Sequence, residues 1–110
     1  GGDIWVINAD GTGERRVKQD SPIDADPAWT PDGNKLVYSK DILGIMTIFL
    51  DGTGETRLTV NPADGKPAVS NDGTKIAFVR RGTSANGIYV MNSIGAHQLR
   101  RSQSLMSEVG

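Results

Sequence analysis

Few side chains in this sequence are arranged for catalysis. The stretch nearest to a serine nucleophile motif, GTSAN at residues 82–86, lacks the final glycine of Gly-x-Ser-x-Gly. The single histidine, His97, has no carboxylate near it in the sequence to orient it as a general base. There is no cysteine, which excludes thiol nucleophiles and disulfides. We therefore expect no catalytic residues and a protein that is not an enzyme.

Oxygen ligands for a metal ion are also sparse. Asp24 and Asp26 would supply two carboxylates, whereas Ca²⁺ takes about six to eight oxygen ligands. The position that matches Asp26 in the second repeat is Lys66. The glycine-rich segment DGTGE at residues 51–55 precedes a strand, so no helix N-terminus follows it to hold a phosphate. We predict neither a metal nor a cofactor.

Charge and hydropathy exclude two classes of partner. The chain has 12 basic and 13 acidic residues and a net charge of −1, with the charges scattered along it. Nothing in this balance indicates binding to nucleic acid. The longest apolar run, residues 42–50, is interrupted by Gly44 and Thr47 and is too short to cross a bilayer, so no membrane insertion is expected.

The elements that would position any site are repeated. PAWTPDGNKLVYSK at residues 27–40 returns as PAVSNDGTKIAFVR at residues 67–80. Each copy indicates a strand, a tight turn at Asp-Gly and a second strand, because Asp bonds its own backbone and Gly supplies the positive φ of a turn. Both copies therefore predict a β-hairpin.

A second unit flanks these hairpins. Residues 3–17 and 44–58 are identical at eight of fifteen positions, and residues 88–95 form a weaker third copy in which Ile94 replaces the turn aspartate. The turn glycines are 41 residues apart from Gly11 to Gly52 and 43 apart from Gly52 to Gly95. A period near 40 with four short strands is typical of a β-propeller blade.

We predict an all-β fold: a partial β-propeller built of four-stranded antiparallel blades. With a to d running from the innermost to the outermost strand, the chain shows c-d, a-b-c-d, a-b-c-d. Residues 1–110 form one domain, with repeats at 3–41 (strands c-d-a-b), 44–86 and 87–110. Both faces of the strands are apolar, with Leu36 and Tyr38 on one face and Val37 on the other, as expected when a blade lies between two others.

The segments DIWVINADG, residues 3–11, and DPAWTPDGNKLVYS, residues 26–39, resemble the propeller repeats of the TolB family. Val69, Asn71 and Ile94 depart from that pattern. The resemblance implies a periplasmic or extracellular location and a non-catalytic surface that binds a protein, a peptide or another ligand. An alternative is the gating propeller of a prolyl-oligopeptidase-like serine peptidase whose catalytic domain lies outside these residues. A third is a purely structural blade module.

A closed propeller needs at least four blades, or about 160 residues at this period. The chain has 110 residues and begins without methionine. We therefore expect a fragment of a larger propeller, or copies that associate to cover one another's open blade faces.

Candidate binding residues lie where the repeats differ, because variable loops on a rigid frame carry function. The connections between strands d and a differ most usefully, since they lead to the mouth of the central channel. They place Asp24, Asp26, Asp64 and Lys66 there. The alternative is that these are solvated loop charges.

One further difference is apolar. Phe49 and Leu50 occupy positions where the other copies have asparagine, alanine or serine. They predict either local core packing or a contact with a partner.

Overall fold

The computed structural model describes residues 4–18, 24–82 and 86–101. These residues form strands and turns, and they include no helix long and apolar enough to span a membrane. The strands are β1 (Ile4–Val6), β2 (Arg15–Lys18), β3 (Asp24–Trp29), β4 (Lys35–Lys40), β5 (Gly44–Phe49), β6 (Thr56–Arg57), β7 (Asp64–Val69), β8 (Lys75–Arg80), β9 (Gly87–Asn92) and β10 (Leu99–Arg100).

The strands form three antiparallel sheets, which we call blades. Blade 1 pairs β1 with β2, blade 2 has the order β3-β4-β5-β6, and blade 3 has the order β7-β8-β9-β10. Every neighbour in a sheet is also a neighbour in sequence. The all-β fold and the strand order c-d, a-b-c-d, a-b-c-d are thus confirmed, whereas the repeat boundaries and the single-domain assignment stay predictions.

Side chains of β4 alternate between two apolar layers. Leu36 and Tyr38 point towards blade 1, and Val37 points towards blade 3. Seam 1, the layer between blades 1 and 2, contains Ile4, Val17, Leu36, Tyr38, Met46 and Ile48. Seam 2, the layer between blades 2 and 3, contains Val37, Ile45, Ile76, Phe78 and Met91. The predicted sandwiching of blade 2 is therefore confirmed.

The a–b turns are capped by aspartates, as the Asp-Gly pattern predicts. Oδ1 of Asp32 accepts a hydrogen bond from the backbone N–H of Asn34 at 3.0 Å and from the hydroxyl of Thr30 at 2.7 Å. Asp72 accepts the equivalent bonds from Thr74 at 3.0 Å and from Ser70 at 2.7 Å. These bonds satisfy turn amides that the ladder leaves open, so the carboxylates hold the hairpins in register.

The third c–d turn forms despite its missing aspartate. The expectation that its turn chemistry had decayed at Ile94 is not met. Oδ1 of Asn92 accepts hydrogen bonds from the backbone N–H groups of Ile94 at 3.2 Å and Ala96 at 2.9 Å. An amide two positions earlier in the chain thus does the work that Asp51 does in blade 2, where Asp51 accepts from Thr53 at 2.9 Å.

The c–d turn of each blade touches the preceding blade through its backbone. A methyl group added at Gly52 would lie 2.5 Å from the carbonyl oxygen of Val17, and one added at Gly95 would lie 2.5 Å from that of Leu58. Both glycines also have a φ near +87°, at 86° and 87°. Only glycine satisfies both the conformation and the contact.

Candidate functional site

The predicted binding residues lie at the start of the innermost strands. We expected them in the connecting loops, but β3 begins at Asp24 and β7 begins at Asp64, so all four are in strands. The strands extend this far because Asp24 pairs with Lys40 and Asp64 with Arg80 at the end of the neighbouring strand. The loop assignment is therefore corrected to the channel-side strand. The side chain of Asp24 lies outside what the structure describes.

Asp26 and Lys66 occupy equivalent irregularities in these strands. The register of β3 against β4 shifts between Ala25 and Ala28, and that of β7 against β8 shifts between Gly65 and Ala68. At the shift the backbone is left-handed, with a φ of 55° at Asp26 and 50° at Lys66. Both side chains are exposed. Bulges of this kind re-aim a side chain away from the ladder and recur next to functional sites.

Asp64 has a structural partner. Its buried carboxylate accepts hydrogen bonds from Nε of Arg80 at 2.6 Å and from Nη2 at 2.9 Å. Nη2 also donates to Gln98 at 3.0 Å, and the guanidinium lies 4.4 Å from the ring centre of Tyr89. The bonds to Asp64 raise the pKa of Arg80 above its usual value. Asp64 thus ties strands a, b and d of blade 3 together, and we leave it out of the proposed binding set.

Blade 2 uses the same position differently. Nζ of Lys40, the residue equivalent to Arg80, lies 3.1 Å from Oε2 of Glu55, and the hydroxyl of Tyr38 donates to the same oxygen. Glu55 is equivalent to Gln98 in blade 3. The basic residue that ends strand b therefore links towards strand d in both blades.

A cleft of about 330 Å³ separates blades 2 and 3 at this end of the molecule. Asp26 and Asp41 of blade 2 and Arg81 of blade 3 are the exposed charged residues that line it. Asp41 and Arg81 are equivalent, being the first residues after strand b, and their charges are opposite. Sequence reasoning noticed that these b–c connections vary but did not select them. The signal was available, since the same 40-residue offset relates Asp26 to Lys66.

The apolar pair Phe49 and Leu50 separates into two environments. Leu50 is partly buried and packs against seam 1, which fits local core packing. Phe49 is 42% exposed, with Nζ of Lys35 lying 4.5 Å from the centre of its ring. Its contact with a partner stays a prediction.

Catalytic and metal-binding groups do not assemble in the part of the chain that the structure describes. No three histidine, cysteine, aspartate or glutamate side chains there come close enough to hold a metal ion. Ser84 of the partial nucleophile motif lies outside the described residues, and His97 is exposed.

Comparison with known proteins gives one consistent likeness. No family model matches the chain. A TolB homolog from Chlorobium luteolum is 40% identical over 57 residues, which are 50% of this chain and 13% of that protein. The structure of TolB from Acinetobacter baumannii matches with a TM-score of 0.78 and 23% identity, over 90% of this chain and 26% of that one.

Two more solved structures share the fold. A putative TolB from Agrobacterium tumefaciens matches with a TM-score of 0.80 and 24% identity, over 92% of this chain and 38% of that one. The tricorn protease matches with a TM-score of 0.61 and 15% identity, over 83% of this chain and 10% of that one. The chain thus carries TolB-like propeller repeats, folded as part of a propeller, and it spans well under half the length of these relatives.

Proposed function

We propose that these blades belong to a non-catalytic TolB-like propeller that binds a protein or peptide at the cleft between blades 2 and 3. The observation that carries the proposal is a reversal of charge. Asp26 and Asp41 of blade 2 correspond to Lys66 and Arg81 of blade 3, at the same end of the molecule. We call these four residues the charge-reversed end.

The framework does not require this reversal. At the opposite end of the same hairpins, Asp32 and Asp72 are both retained and make equivalent turn hydrogen bonds. Where the repeats have diverged, the side chains are exposed and three of the four have no structural bond among the described residues; Asp26 has only a long contact of 3.4 Å with Ser39. Divergence confined to exposed side chains on a rigid frame is typical of a binding surface.

Backbone strain supports the same assignment. A left-handed conformation at a residue other than glycine costs about 1 kcal/mol or more. Aspartate tolerates it through local hydrogen bonding, but Lys66, with a φ of 50°, has no such compensation. The fold holds that side chain at the channel side of β7 in spite of the strain. Strain retained at a site is a ground for inferring function there.

The electrostatics favour an extended or terminal peptide segment with charges of both signs. Its cationic groups would face blade 2 and its anionic groups would face blade 3. Exposed pairs of this kind contribute only about 0.2–1 kcal/mol each. They therefore fix the orientation and the association rate, while contacts within the cleft supply the affinity.

The remaining parts of the proposal follow from resemblance and from the open sheet. By likeness to TolB we place the protein in the periplasm or outside the cell. Because blade 3 has an uncovered apolar face, further blades of the same polypeptide or another copy would cover it. The peptidase-propeller alternative is favoured only by the fold-level likeness to the tricorn protease. A Gly-x-Ser-x-Gly segment elsewhere in the polypeptide would decide for it.

Site-specific photocrosslinking tests the proposal in the complete gene product, expressed in its own host. A photoreactive amino acid at position 66 should give a discrete adduct with a partner. The matched control is position 75, an exposed lysine at the opposite end of the same blade. Adducts from both positions, or from position 75 alone, would overturn the assignment.

A charge swap tests the electrostatic part. The double variant Asp26→Lys, Lys66→Asp preserves the net charge but reverses the direction of the dipole. It should lower the yield of the adduct from a crosslinker placed at the neighbouring Gly65. An unchanged yield would contradict the role of the charge-reversed end.

A further inference from the structure

A second concavity lies at the other end of seam 2. This seam groove has a volume of about 520 Å³, within the range of small-ligand sites. Its apolar lining is Val37, Leu58, Val69 and Ile76, contributed by both blades. The a–b turns border it with Asp32 and Asp72, at the opposite end from the charge-reversed end. The groove is therefore independent of the function proposed above.

Thr47 is the unusual residue of this groove. It is 7% exposed and lines the groove, yet its hydroxyl has no hydrogen-bond partner among the described residues. Blades 1 and 3 carry Val6 and Val90 at the same strand position, so the framework accepts an isosteric apolar side chain there. A buried hydroxyl without a partner is destabilising. Retaining it on the wall of a groove indicates a ligand that bonds to it.

The rim of the groove carries a carboxylate with spare capacity. The a–b turn uses Oδ1 of Asp72, and Oδ2 accepts no hydrogen bond from the described residues. The turn bonds, led by the backbone N–H of Thr74, lower the pKa of Asp72 to about 2, so the group is ionised at neutral pH. Asp32 differs, because the nearby Lys35 partly balances its charge. Asp72 is thus the unbalanced anion of the rim.

We propose that the seam groove binds a small cationic amphiphile. Its apolar body would lie against Val37, Leu58 and Ile76, an inner polar group would bond to the Thr47 hydroxyl, and an ammonium group at the outer end would pair with Asp72. Complementarity of charge selects an amine over a neutral or acidic molecule of the same shape.

Tyramine and three analogues make the test. Phenethylamine lacks the hydroxyl, tyrosol lacks the charge, and 4-hydroxyphenylacetate reverses it. NMR of the methyl-labelled protein should show saturable shifts centred on Thr47, Val37 and Ile76, with tyramine binding in the millimolar range expected for so small a ligand. We expect about tenfold weaker binding of the other three compounds, as for one lost polar contact. Equal binding of 4-hydroxyphenylacetate, or shifts centred elsewhere, would overturn the proposal without any variant.

Two variants assign the contacts. Thr47→Val installs the residue that blades 1 and 3 carry, and it should weaken tyramine about tenfold while leaving phenethylamine unchanged. Asp72→Asn keeps the Oδ1 acceptor of the turn and should weaken tyramine but not tyrosol. The control is Thr59→Val, which removes a buried hydroxyl that already accepts from the backbone N–H of Ile45 at 3.0 Å and should leave both ligands unaffected. If Thr47→Val binds tyramine like the parent protein, the hydroxyl has no role in binding.

Discussion

Blades 2 and 3 are copies of one four-stranded unit, but they differ in how completely their apolar surface is covered. On the far face of blade 2, Val37 and Ile45 are 1% and 0% exposed. The equivalent residues of blade 3, Ala77 and Ile88, are half-buried, because the described residues place no further sheet on that face. Burial in this fold is therefore a property of the neighbouring blade and not of the repeat. The same pattern of residues gives a core on one side and an adhesive surface on the other.

The largest effect should come from truncating the far-face isoleucines. Ile45→Ala removes a fully buried side chain and should lower the free energy of unfolding by about 4 kcal/mol. Ile88→Ala, half-exposed here, should lower it by about 1 kcal/mol. Urea denaturation measures both. Equal losses in the complete protein would mean that another blade or another copy covers the far face of blade 3.

The seam glycines should come next. Gly95→Ala combines a φ of 87° with a contact of 2.5 Å to the carbonyl of Leu58, and we expect a loss of about 3 kcal/mol. Gly33→Ala is the matched control, since its φ is 74° but nothing lies within 4 Å of the added methyl. It should lose only about 1 kcal/mol. If both variants melt at the same temperature, the blades do not depend on this backbone contact.

The polar links of the two blades should rank below the seams. Asp64→Asn removes the charge that holds Arg80 through two bonds and should lower the stability by about 2 kcal/mol. Glu55→Gln weakens the single 3.1 Å contact with Lys40 in blade 2 and should lower it by about 1 kcal/mol. Hydrogen exchange of β4 and β8 amides would report each blade separately. A greater loss for Glu55→Gln would reverse this ranking.

The smallest difference should appear in acid. Hydrogen bonds from the Thr53 hydroxyl and backbone lower the pKa of Asp51. A group whose pKa is lower in the folded state contributes stability above its unfolded value near 3.8, and that contribution is lost as the pH falls through the folded value. The c–d turn of blade 2 should therefore open below about pH 4. The equivalent turn of blade 3 is capped by the uncharged Asn92 and should hold, so amide exchange at pH 2–3 should be faster at Thr53 than at Ala96.

Most of the fold was predictable because the chain repeats itself. Two copies of a hairpin with an Asp-Gly turn determine the strands, and a period near 40 determines the blade. The c–d turn of blade 3 was misjudged because sequence comparison looked only for aspartate at position 94. Asn92 caps the same turn from an earlier position, and an amide oxygen accepts the same bonds.

The candidate sites were less predictable, for two physical reasons. A strand irregularity has no clear sequence signature, so Asp26 and Lys66 were expected in loops although they lie in β3 and β7. The partner of Asp64 is 16 residues away, and only the paired register brings Arg80 opposite it. Thr47 was visible in principle, because it stands where the other copies have valine. Its significance depends on burial, which only the packed blades reveal.

The contacts of Gly52 and Gly95 bear on how such a molecule can lengthen and diverge. Each joins a turn to the carbonyl of the preceding blade without involving a side chain of either residue. A duplicated blade would thus arrive with its docking geometry already encoded in its own turn. The seam side chains, such as Leu36 and Ile76, are then free to drift in size within each copy. Inheritance of the joint through the main chain lets the number of copies change before their sequences do.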